Sequence, residues 1–316
     1  MYEKETISLY YLLKEEGRKN PDSWKYSPIE QWKVDYFGEN LNESNLSNFR
    51  RTPLSSGTIS FPDAPTQREK PWLSGIPLRQ KMSGIIYIIK KLHKLNSYKR
   101  IKFTELTDNL IGNPCYYRAA KAYLTELSIR NYYYCEAVNR IKNSESLDMA
   151  NIFEIGGGFG SLALKLMTSS SLNIKNYYLL DLPENLALSF YYLKNNGCHT
   201  EVVLSEKNYE RSNGINKVFL LPPWMLQTYD FSADLFINIL SFQHMTLGNL
   251  NFYFNNIERL KIAYLYLMNR NSKKDETDVE ILKYPFPKPY KLISSKEAFF
   301  NESSPRKYLE CLFKRC

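Results

Sequence analysis

The chain has 316 residues, of which 43% are hydrophobic and 24% charged, and its formal net charge is +9. This composition is that of an ordinary globular protein, and a chain of this length buries a core without disulfides or a structural metal. It excludes fibrous and wholly disordered proteins. The longest apolar runs, such as 85–89, are far shorter than the ~20 residues of a membrane-spanning helix. The N-terminal segment carries acidic residues among its apolar ones, and so it does not resemble a signal peptide.

The five cysteines are scattered without a CxxC pair, and the chain has only three histidines. An odd, scattered set of cysteines indicates neither a disulfide framework nor a zinc site, and it favours a reducing, cytoplasmic setting. A metal site is not indicated, although a few carboxylates could hold a magnesium ion.

Residues 1 to about 78 are weakly patterned, and the stretch 47–72 is rich in Pro, Ser, Asn and Gly, which predicts loop or extended chain. An amphipathic helix is predicted over 79–96. Its apolar stripe, which should pack on the protein body, contains Met82, Ile85, Ile89 and Leu92, widened by Ile86, Ile88 and Leu95. Its opposite, basic face contains Arg79, Lys90, Lys91 and Lys94.

The segment 66–102 contains ten basic residues and one acid, so it accounts for the whole net charge. Such a concentration of positive charge either forms a solvated surface or attracts an anionic partner. That partner could be a nucleotide-sugar, a phosphorylated glycan or an acidic membrane surface. The helix 79–96 is thus a candidate for peripheral membrane contact. Nucleic acid is not expected as a partner, because no known binding module is recognisable.

A further helix is predicted over 115–141, and from residue 151 short apolar runs alternate with helical stretches. This alternation is typical of a parallel sheet with crossover helices. Strands are predicted at 151–155, 177–180, 217–221, 235–240, 262–268 and 308–313, with helices at 159–167 and 184–195. The predicted fold is a Rossmann-like, doubly wound, mostly parallel α/β sheet with a helical N-terminal extension. The predicted domains are a cap or substrate region, 1–145, and a catalytic domain, 146–316.

Residues 153–166, FEIGGGFGSLALKL, place a glycine-rich turn between the first strand and its helix. Glycines at such a turn permit positive φ and close approach of a ligand. A dinucleotide site requires G-x-G-x-x-G, but Ser161 occupies the third glycine position counted from Gly156. The pattern that fits is E-x-G-x-G-x-G, formed by Glu154, Gly156, Gly158 and Gly160.

This pattern resembles the class I S-adenosylmethionine-dependent methyltransferases, in which the turn lies against the methionine and ribose of the cofactor. The acid Glu154 suits a ligand that bears an ammonium and a sulfonium. Asp181 ends the second strand 21 residues after Gly160, where a Rossmann fold places an acid on the ribose hydroxyls. The resemblance implies that role for Asp181 and includes its neighbour Leu182 in the cofactor site.

Residues that follow the fourth strand should face the acceptor, because sites in this fold lie beyond the carboxyl ends of the strands. They include Asn238, Gln243 and His244. A hydroxyl acceptor loses its proton as it is methylated, and histidine has a pKa suited to receive that proton. His244 is therefore the candidate base, with Gln243 beside it, and the alternative is a histidine that only forms a loop hydrogen bond.

The chain also resembles the sugar O-methyltransferase family of bacterial polysaccharide clusters over roughly 110–270. The motifs FEIGGGFG, YYLLDLPE and the Asn238–Met245 run carry this resemblance, with weaker likeness in IGNP and LSIRNYYYCEAV. Members usually have an acid where this chain has His244. In such a fold the helix before the first strand can cover the methionine end of the cofactor. Arg130 could then meet its carboxylate and Tyr133 its sulfonium, or the aromatic run is core.

The expected function is methylation of a hydroxyl on a sugar, nucleotide-sugar or surface glycan, with S-adenosylmethionine as cofactor. One alternative is a non-catalytic, cofactor-binding scaffold or glycan-binding subunit of a polysaccharide assembly complex. Another is a nicotinamide-dependent oxidoreductase, which the imperfect dinucleotide pattern and Glu154 disfavour. Homo-oligomerisation is left open by the sequence.

Overall fold

The computed structural model describes residues 1–20, 36–51, 54, 78–98, 101, 103–114, 116–119, 121–205, 216–272, 279–300 and 307–316. The helices are α1 (Glu3–Lys19), α2 (Glu43–Ser47), α3 (Leu78–Tyr98), α4 (Phe103–Leu106), α5 (Glu126–Ser144), α6 (Ser161–Met167), α7 (Pro183–Asn195) and α8 (Leu247–Arg259). The strands are β1 (Tyr117–Ala119), β2 (Ala122–Leu124), β3 (Asn151–Ile155), β4 (Asn176–Leu180), β5 (His199–Val202), β6 (Lys217–Leu221), β7 (Leu235–Ile239), β8 (Tyr264–Arg270), β9 (Tyr290–Glu297) and β10 (Tyr308–Arg315). No helix among the described residues is both long and apolar enough to cross a bilayer.

Eight strands form the central sheet, in the order β5-β6-β4-β3-β7-β8-β10-β9. The strands from β5 to β8 are parallel, whereas β10 runs antiparallel to both of its neighbours. Strand β3 lies between β4 and β7, so the chain winds away from it in both directions. Right-handed crossovers then place helices on both faces of the sheet. This confirms the Rossmann-like, doubly wound α/β fold predicted from the sequence.

The predicted strands agree with β3, β4, β6, β7, β8 and β10 to within two residues at each end. Their apolar runs are visible in the sequence because a parallel sheet is covered on both faces, and all seven residues of β8 are buried. Strands β5 and β9 carry no such signal. They lie at the edges of the sheet and leave most of their side chains exposed or half-buried.

The prediction of one helix over 115–141 is wrong at its beginning. Residues 117–119 and 122–124 instead pair as the antiparallel strands β1 and β2, and the helix α5 begins only at Glu126. Thr125 and Ser128 form a capping box, in which each side-chain oxygen accepts a hydrogen bond from the other residue's backbone N–H. This box satisfies N–H groups that have no partner within the helix and so marks its start.

The predicted orientation of the helix 79–96 is correct only in part, because Ile88 and Leu95 of the predicted stripe are buried but so is Lys91 of the predicted basic face. In α3 the inward face contains Ile88, Lys91 and Leu95, whereas Ile85 and Ile89 of the predicted buried stripe are 38% and 58% exposed. The ammonium of Lys91 lies 5.3–5.8 Å from the ring centroids of three aromatic residues, Tyr87, Phe299 and Phe300. These cation–π contacts, one within the helix and two to residues near 300, compensate for burying a lysine.

Lys94 is also turned inward, because its ammonium donates a hydrogen bond to the backbone oxygen of Phe299 at 2.9 Å. Lys90 is exposed, as predicted. The predictions for Arg79 and Met82 concern side chains that lie outside the described residues.

The N-terminal residues pack against the sheet domain. Helix α1 lies on α7, where Lys14 pairs with Glu184 at 3.2 Å and the hydroxyl of Tyr191 donates to Glu3 at 3.1 Å. The ring of Phe49 inserts among Phe159, Tyr191 and Tyr192. The buried apolar residues of both regions therefore belong to one continuous core. The division of the chain into domains at 145/146 stays a prediction.

Candidate active site

A cleft of about 360 Å³ opens at the carboxyl ends of β3, β4 and β7, where the winding direction of the sheet reverses. This is the position at which open α/β sheets bind ligands. The predicted site residues that line the cleft are Arg130, Glu154, Gly156, Gly158, Asp181, Gln243 and His244. The predicted site residues that lie outside its lining are Tyr133, Gly160, Leu182 and Asn238.

The glycines of the turn after β3 have different functions. Gly156, Gly158 and Gly160 all have positive φ, with values of +79°, +60° and +82°. A Cβ on Gly156 would lie 2.0 Å from Oγ of Ser241, so the turns that follow β3 and β7 pack together only because this residue has no side chain. A Cβ on Gly158 would meet no atom within 4 Å. The backbone at Gly158 is therefore open to the cleft.

Gly160 closes the turn from outside the cleft. It is the N-cap residue of α6, with φ +82°, and a Cβ there would lie 3.2 Å from the side chain of Leu193 on α7. The third glycine thus lets the helix pack closely, as in other Rossmann-like turns.

Asp181 connects the end of β4 to the glycine turn. Its Oδ2 accepts a hydrogen bond from the backbone N–H of Gly158 at 2.7 Å, and its Oδ1 accepts from the N–H of Leu182 and the amide of Asn185, both at 2.8 Å. The residue is 7% exposed, and that surface faces the cleft. Leu182 therefore supports the site through its backbone, since its N–H orients the carboxylate.

Glu154 lies beneath the glycine turn and is 3% exposed. Its Oε2 accepts a hydrogen bond from the hydroxyl of Tyr177 at 2.7 Å. Burial raises the pKa of Glu154 to about 7, although the Tyr177 hydrogen bond lowers it, and the negative charge of Asp181 raises it further. The carboxyl group therefore titrates near neutral pH, where a nearby cation would favour its ionised form.

Gln243 and His244 lie in the 3₁₀ turn Phe242–His244 that follows β7. His244 is exposed at the cleft, and its Nε2 lies 3.1 Å from Nε2 of Gln243. Among the residues that the structure describes, the buried Oε1 of Gln243 finds no hydrogen-bond partner. Rotating this amide by 180° would place Oε1 against the ring nitrogen, where it would accept a hydrogen bond from an imidazole N–H. In either orientation Gln243 determines which ring nitrogen carries the proton.

Asn238 holds this turn instead of lining the cleft, since it is fully buried. Its amide donates to the backbone oxygen of Ile155 at 2.8 Å, and its Oδ1 accepts from the N–H of Phe242 and from the amide of Asn269. It therefore links the strand before the glycine turn to the turn that carries His244.

Two buried residues of β8 complete this support. Oδ1 of Asn269 accepts from the backbone N–H of Gln243 at 3.3 Å, and the guanidinium of Arg270 donates to the backbone oxygen of Gln243 at 3.1 Å. The Gln243 backbone is thus held at both its donor and its acceptor, which positions the neighbouring imidazole.

Helix α5 supplies one wall of the cleft through Leu127, Arg130, Asn131 and Tyr134. These residues are spaced three or four apart, so they share one face of the helix. Arg130 pairs with Glu126 one turn earlier, and its guanidinium lies 4.8 Å from the ring centroid of Phe300.

The prediction for Tyr133 differs from its observed surroundings. The ring stacks on Phe299 with centroids 4.6 Å apart, and the hydroxyl donates to Oε2 of Glu310 at 2.5 Å. Tyr133 lies outside the lining of the cleft, because it is turned about 100° around the helix from Tyr134 and about 60° beyond Arg130, which is at the edge of the lining face. The aromatic residue of this run that lines the cleft is Tyr134.

Several residues of the site carry no sequence signal. They are Asn131, Tyr177, Asn269 and Arg270. The strand periodicity places Tyr177 in β4 but does not show that its hydroxyl reaches Glu154. Ser241, by contrast, lies in the run after the fourth strand that the sequence places near the acceptor, and it lines the cleft. Among the described residues, no group of three or more His, Cys, Asp and Glu side chains is arranged to hold a metal ion.

No protein-family model and no curated protein matches this sequence. Solved structures similar in fold include magnesium protoporphyrin IX methyltransferase (ChlM) from Synechocystis PCC 6803 with bound SAH. The identity is 11%, the TM-score is 0.41, and the match covers 73% of this chain and 98% of that chain. Another is the N-methyltransferase NodS from Bradyrhizobium japonicum WM9, with 11% identity, a TM-score of 0.39, and coverage of 59% of this chain and 97% of that chain.

At these identities the likeness concerns the fold alone. The sheet order and the position of the cleft define a Rossmann-like α/β protein with a mostly parallel central sheet. The likeness to the sugar O-methyltransferase family stays a prediction.

Proposed function

We propose that this chain is an S-adenosylmethionine-dependent methyltransferase. The observation that carries the proposal is an open glycine turn in a cleft lined by two carboxyl groups. Gly158, where an added Cβ would meet no atom within 4 Å, leaves space beside the backbone in the cleft that Glu154 and Asp181 also line. Negative charge at this turn favours a ligand with ammonium and sulfonium groups and opposes the pyrophosphate of a dinucleotide.

The residues present fit this cofactor. Asp181 is oriented by three N–H donors and suits the ribose hydroxyls, and Glu154 suits the cationic methionine end. Arg130, on the α5 wall, suits the methionine carboxylate. When bound, the cofactor supplies an electrophilic methyl group on its sulfonium.

The acceptor that we propose is a hydroxyl of a sugar, nucleotide-sugar or glycan. Such a hydroxyl is a poor nucleophile until it loses its proton, and His244 is the exposed base at the cleft. With the Gln243 amide turned so that its oxygen accepts a hydrogen bond from Nε2–H of His244, the imidazole would keep its lone pair on Nδ1 and would take that proton there. Asn269 and Arg270, which hold the Gln243 backbone, would keep the imidazole in place.

The first test of the cofactor is thermal stabilisation by S-adenosylmethionine, S-adenosylhomocysteine and NAD, measured side by side. A ligand at ~100 times its dissociation constant adds about 2.7 kcal/mol to the free energy of unfolding. We expect the two sulfur ligands alone to raise the melting temperature. A response to NAD alone would overturn the proposal in favour of an oxidoreductase.

The test of catalysis is the release of S-adenosylhomocysteine with UDP-glucose, UDP-N-acetylglucosamine and neutral methyl glycosides as acceptors. His244→Ala should lower turnover ~10²- to 10⁴-fold and leave cofactor affinity unchanged. His93→Ala, which alters an exposed histidine of α3 outside the cleft, is the control. Near-normal turnover in His244→Ala would show that His244 does not act as the base. Cofactor binding without turnover on any acceptor would favour the non-catalytic scaffold.

A further inference from the structure

A second cavity, of about 410 Å³, lies among α4, α5, α6 and α7. It adjoins the cleft, with which it shares Asn131 and Ser161. Its volume falls within the range of about 300–1,000 Å³ that is typical of small-molecule sites. The residues proposed above to hold the cofactor or to act on the acceptor do not line it. It is therefore a separate candidate site.

Hydroxyl and amide groups dominate its lining. The buried part contains Ser128, Asn131 and Tyr192, and Thr107 and Thr168 lie at the exposed rim. The hydroxyl of Ser128 is used by the capping box of α5. Thr168 donates to the backbone oxygen of Leu164 and can still accept. Tyr192 accepts from Asn109 and can still donate, and the amide of Asn131 can do both. The hydroxyls of a ligand both donate and accept, so they match these groups without requiring a particular charge.

The charged groups around the second cavity are balanced. Lys165 donates to the backbone oxygen of Glu105, and the carboxylate of Asp108 pairs with the guanidinium of Arg50 at 2.6 Å. The two cations and two carboxylates cancel. A phosphate or carboxylate ligand would meet no excess positive charge here, which favours an uncharged ligand.

Asn131 is the strongest indication that a ligand binds. It is 7% exposed, lines both cavities, and makes no hydrogen bond within the part of the chain that the structure describes. A polar side chain so deeply buried is normally paired, because leaving it unpaired costs desolvation energy. Its small exposed surface faces the cavities, so a ligand in the second cavity would supply the missing hydrogen bonds.

From these observations we propose that the second cavity is a binding site for an uncharged, hydroxyl-rich ligand, namely a saccharide unit. Asn131 binds a ligand hydroxyl at the buried end, and Thr168 binds another at the rim. Binding here requires neither cofactor nor methyl transfer, so it can be tested even if the reaction proposed above is wrong.

The test is binding of four neutral methyl glycosides at millimolar concentrations to the full chain, followed by NMR. The glycosides are those of glucose, galactose, mannose and N-acetylglucosamine. We expect at least one to bind, and Asn131→Leu and Thr168→Val each to weaken it about three- to tenfold, the loss of one hydrogen bond. Thr168→Val alters only the second cavity, so affinity for S-adenosylhomocysteine, measured by calorimetry, should not change.

The control is Asn139→Leu, which removes a similarly buried asparagine from the same helix outside both cavities. Glycoside affinity should survive this change. The proposal is overturned if none of the glycosides binds, if binding persists unchanged in both cavity variants, or if inorganic phosphate binds in their place. If the unsubstituted protein binds a glycoside but does not bind S-adenosylhomocysteine, the result would count against the proposed methyltransferase function and not against the second site.

Discussion

At the scale of single residues, the two carboxyl groups of the cleft have different surroundings. Asp181 receives three N–H donors and is part of the glycine turn's own hydrogen bonding. Glu154 receives one phenolic hydroxyl and is otherwise enclosed by the protein. The first environment suits a fixed negative charge, whereas the second allows the charge to depend on pH and on bound cations.

Asp181→Asn should weaken binding of S-adenosylhomocysteine. The substitution keeps the shape of the side chain but replaces one acceptor oxygen with an NH₂ group, which cannot accept from the N–H of Gly158 or Leu182. The loss of a charged hydrogen-bonding group costs ~1.5 to 3 kcal/mol, or about 10- to 150-fold in affinity by calorimetry. Asp230→Asn, in an exposed ion pair outside the cleft, should bind normally. Normal affinity in Asp181→Asn would remove this residue from the cofactor site.

Glu154→Gln should remove a pH-dependent loss of stability. Because burial raises the pKa of Glu154 to about 7, above the 4.5 of a free side chain, the unfolded chain ionises first as pH rises. This group therefore destabilises the fold progressively above pH 4.5, by about 3 kcal/mol once pH exceeds 7. Urea unfolding should show Glu154→Gln more stable than the parent protein at pH 8 but not at pH 4.5. A difference independent of pH would contradict a raised pKa.

At the scale of elements, the glycine turn combines a packing requirement and a binding requirement at neighbouring positions. Gly156 allows the turns after β3 and β7 to touch, and Gly158 leaves backbone open to the cleft. The two requirements can be separated, because an added Cβ is blocked by Ser241 at the first position and unobstructed at the second.

Gly158→Ala should reduce cofactor affinity, whereas Gly197→Ala should not. Both glycines have positive φ, +60° and +76°, and a Cβ would meet no atom within 4 Å at either. Both substitutions therefore cost a similar conformational strain of about 1 to 2 kcal/mol, but only Gly158 lines the cleft. Calorimetry with S-adenosylhomocysteine compares them directly. Equal affinities would show that the cofactor does not approach this backbone.

Gly156→Ala should lower the free energy of unfolding by more than Gly158→Ala or Gly197→Ala does. At this position the new Cβ adds a clash with Ser241 to the conformational strain. Denaturant unfolding measures this difference. Stability equal to that of Gly197→Ala would show that the two turns can move apart at no cost.

At the scale of the whole molecule, the N-terminal region is joined to the sheet domain by a buried ion pair. Arg50 is 2% exposed and pairs with Asp108, whose carboxylate also accepts from the hydroxyl of Thr125, the N-cap residue of α5. Because α5 forms a wall of both cavities, this pair connects the N-terminal residues to the candidate sites.

Arg50→Ala should destabilise the protein by about 3 to 5 kcal/mol, because it leaves the buried carboxylate of Asp108 without its cation. Lys19→Ala, which removes exposed pairs on α1, should leave stability nearly unchanged, because solvent screens such pairs. Urea unfolding monitored by circular dichroism measures both. A small effect of Arg50→Ala would indicate that the N-terminal region is not integrated with the sheet domain.

The sequence by itself determined the elements whose signals are local. Residues 151–181 contain a strand, a glycine turn, a helix, a second strand and Asp181, and each is recognisable because its pattern lies within neighbouring residues. Buried parallel strands are continuous apolar runs, and a glycine turn needs only its own glycines. The Rossmann-like fold and most of the cofactor cleft follow from these signals.

Only the tertiary structure decided the contacts between residues far apart in the chain. Lys91 is buried because aromatic rings near residue 300 surround it, although its own helix predicts exposure. Asn269 and Arg270 reach Gln243 only after β7 and β8 have paired. Asn131 separates two cavities that no local pattern describes. These interactions depend on packing, whose energy exceeds local preference and is not encoded in the spacing of residues along one element.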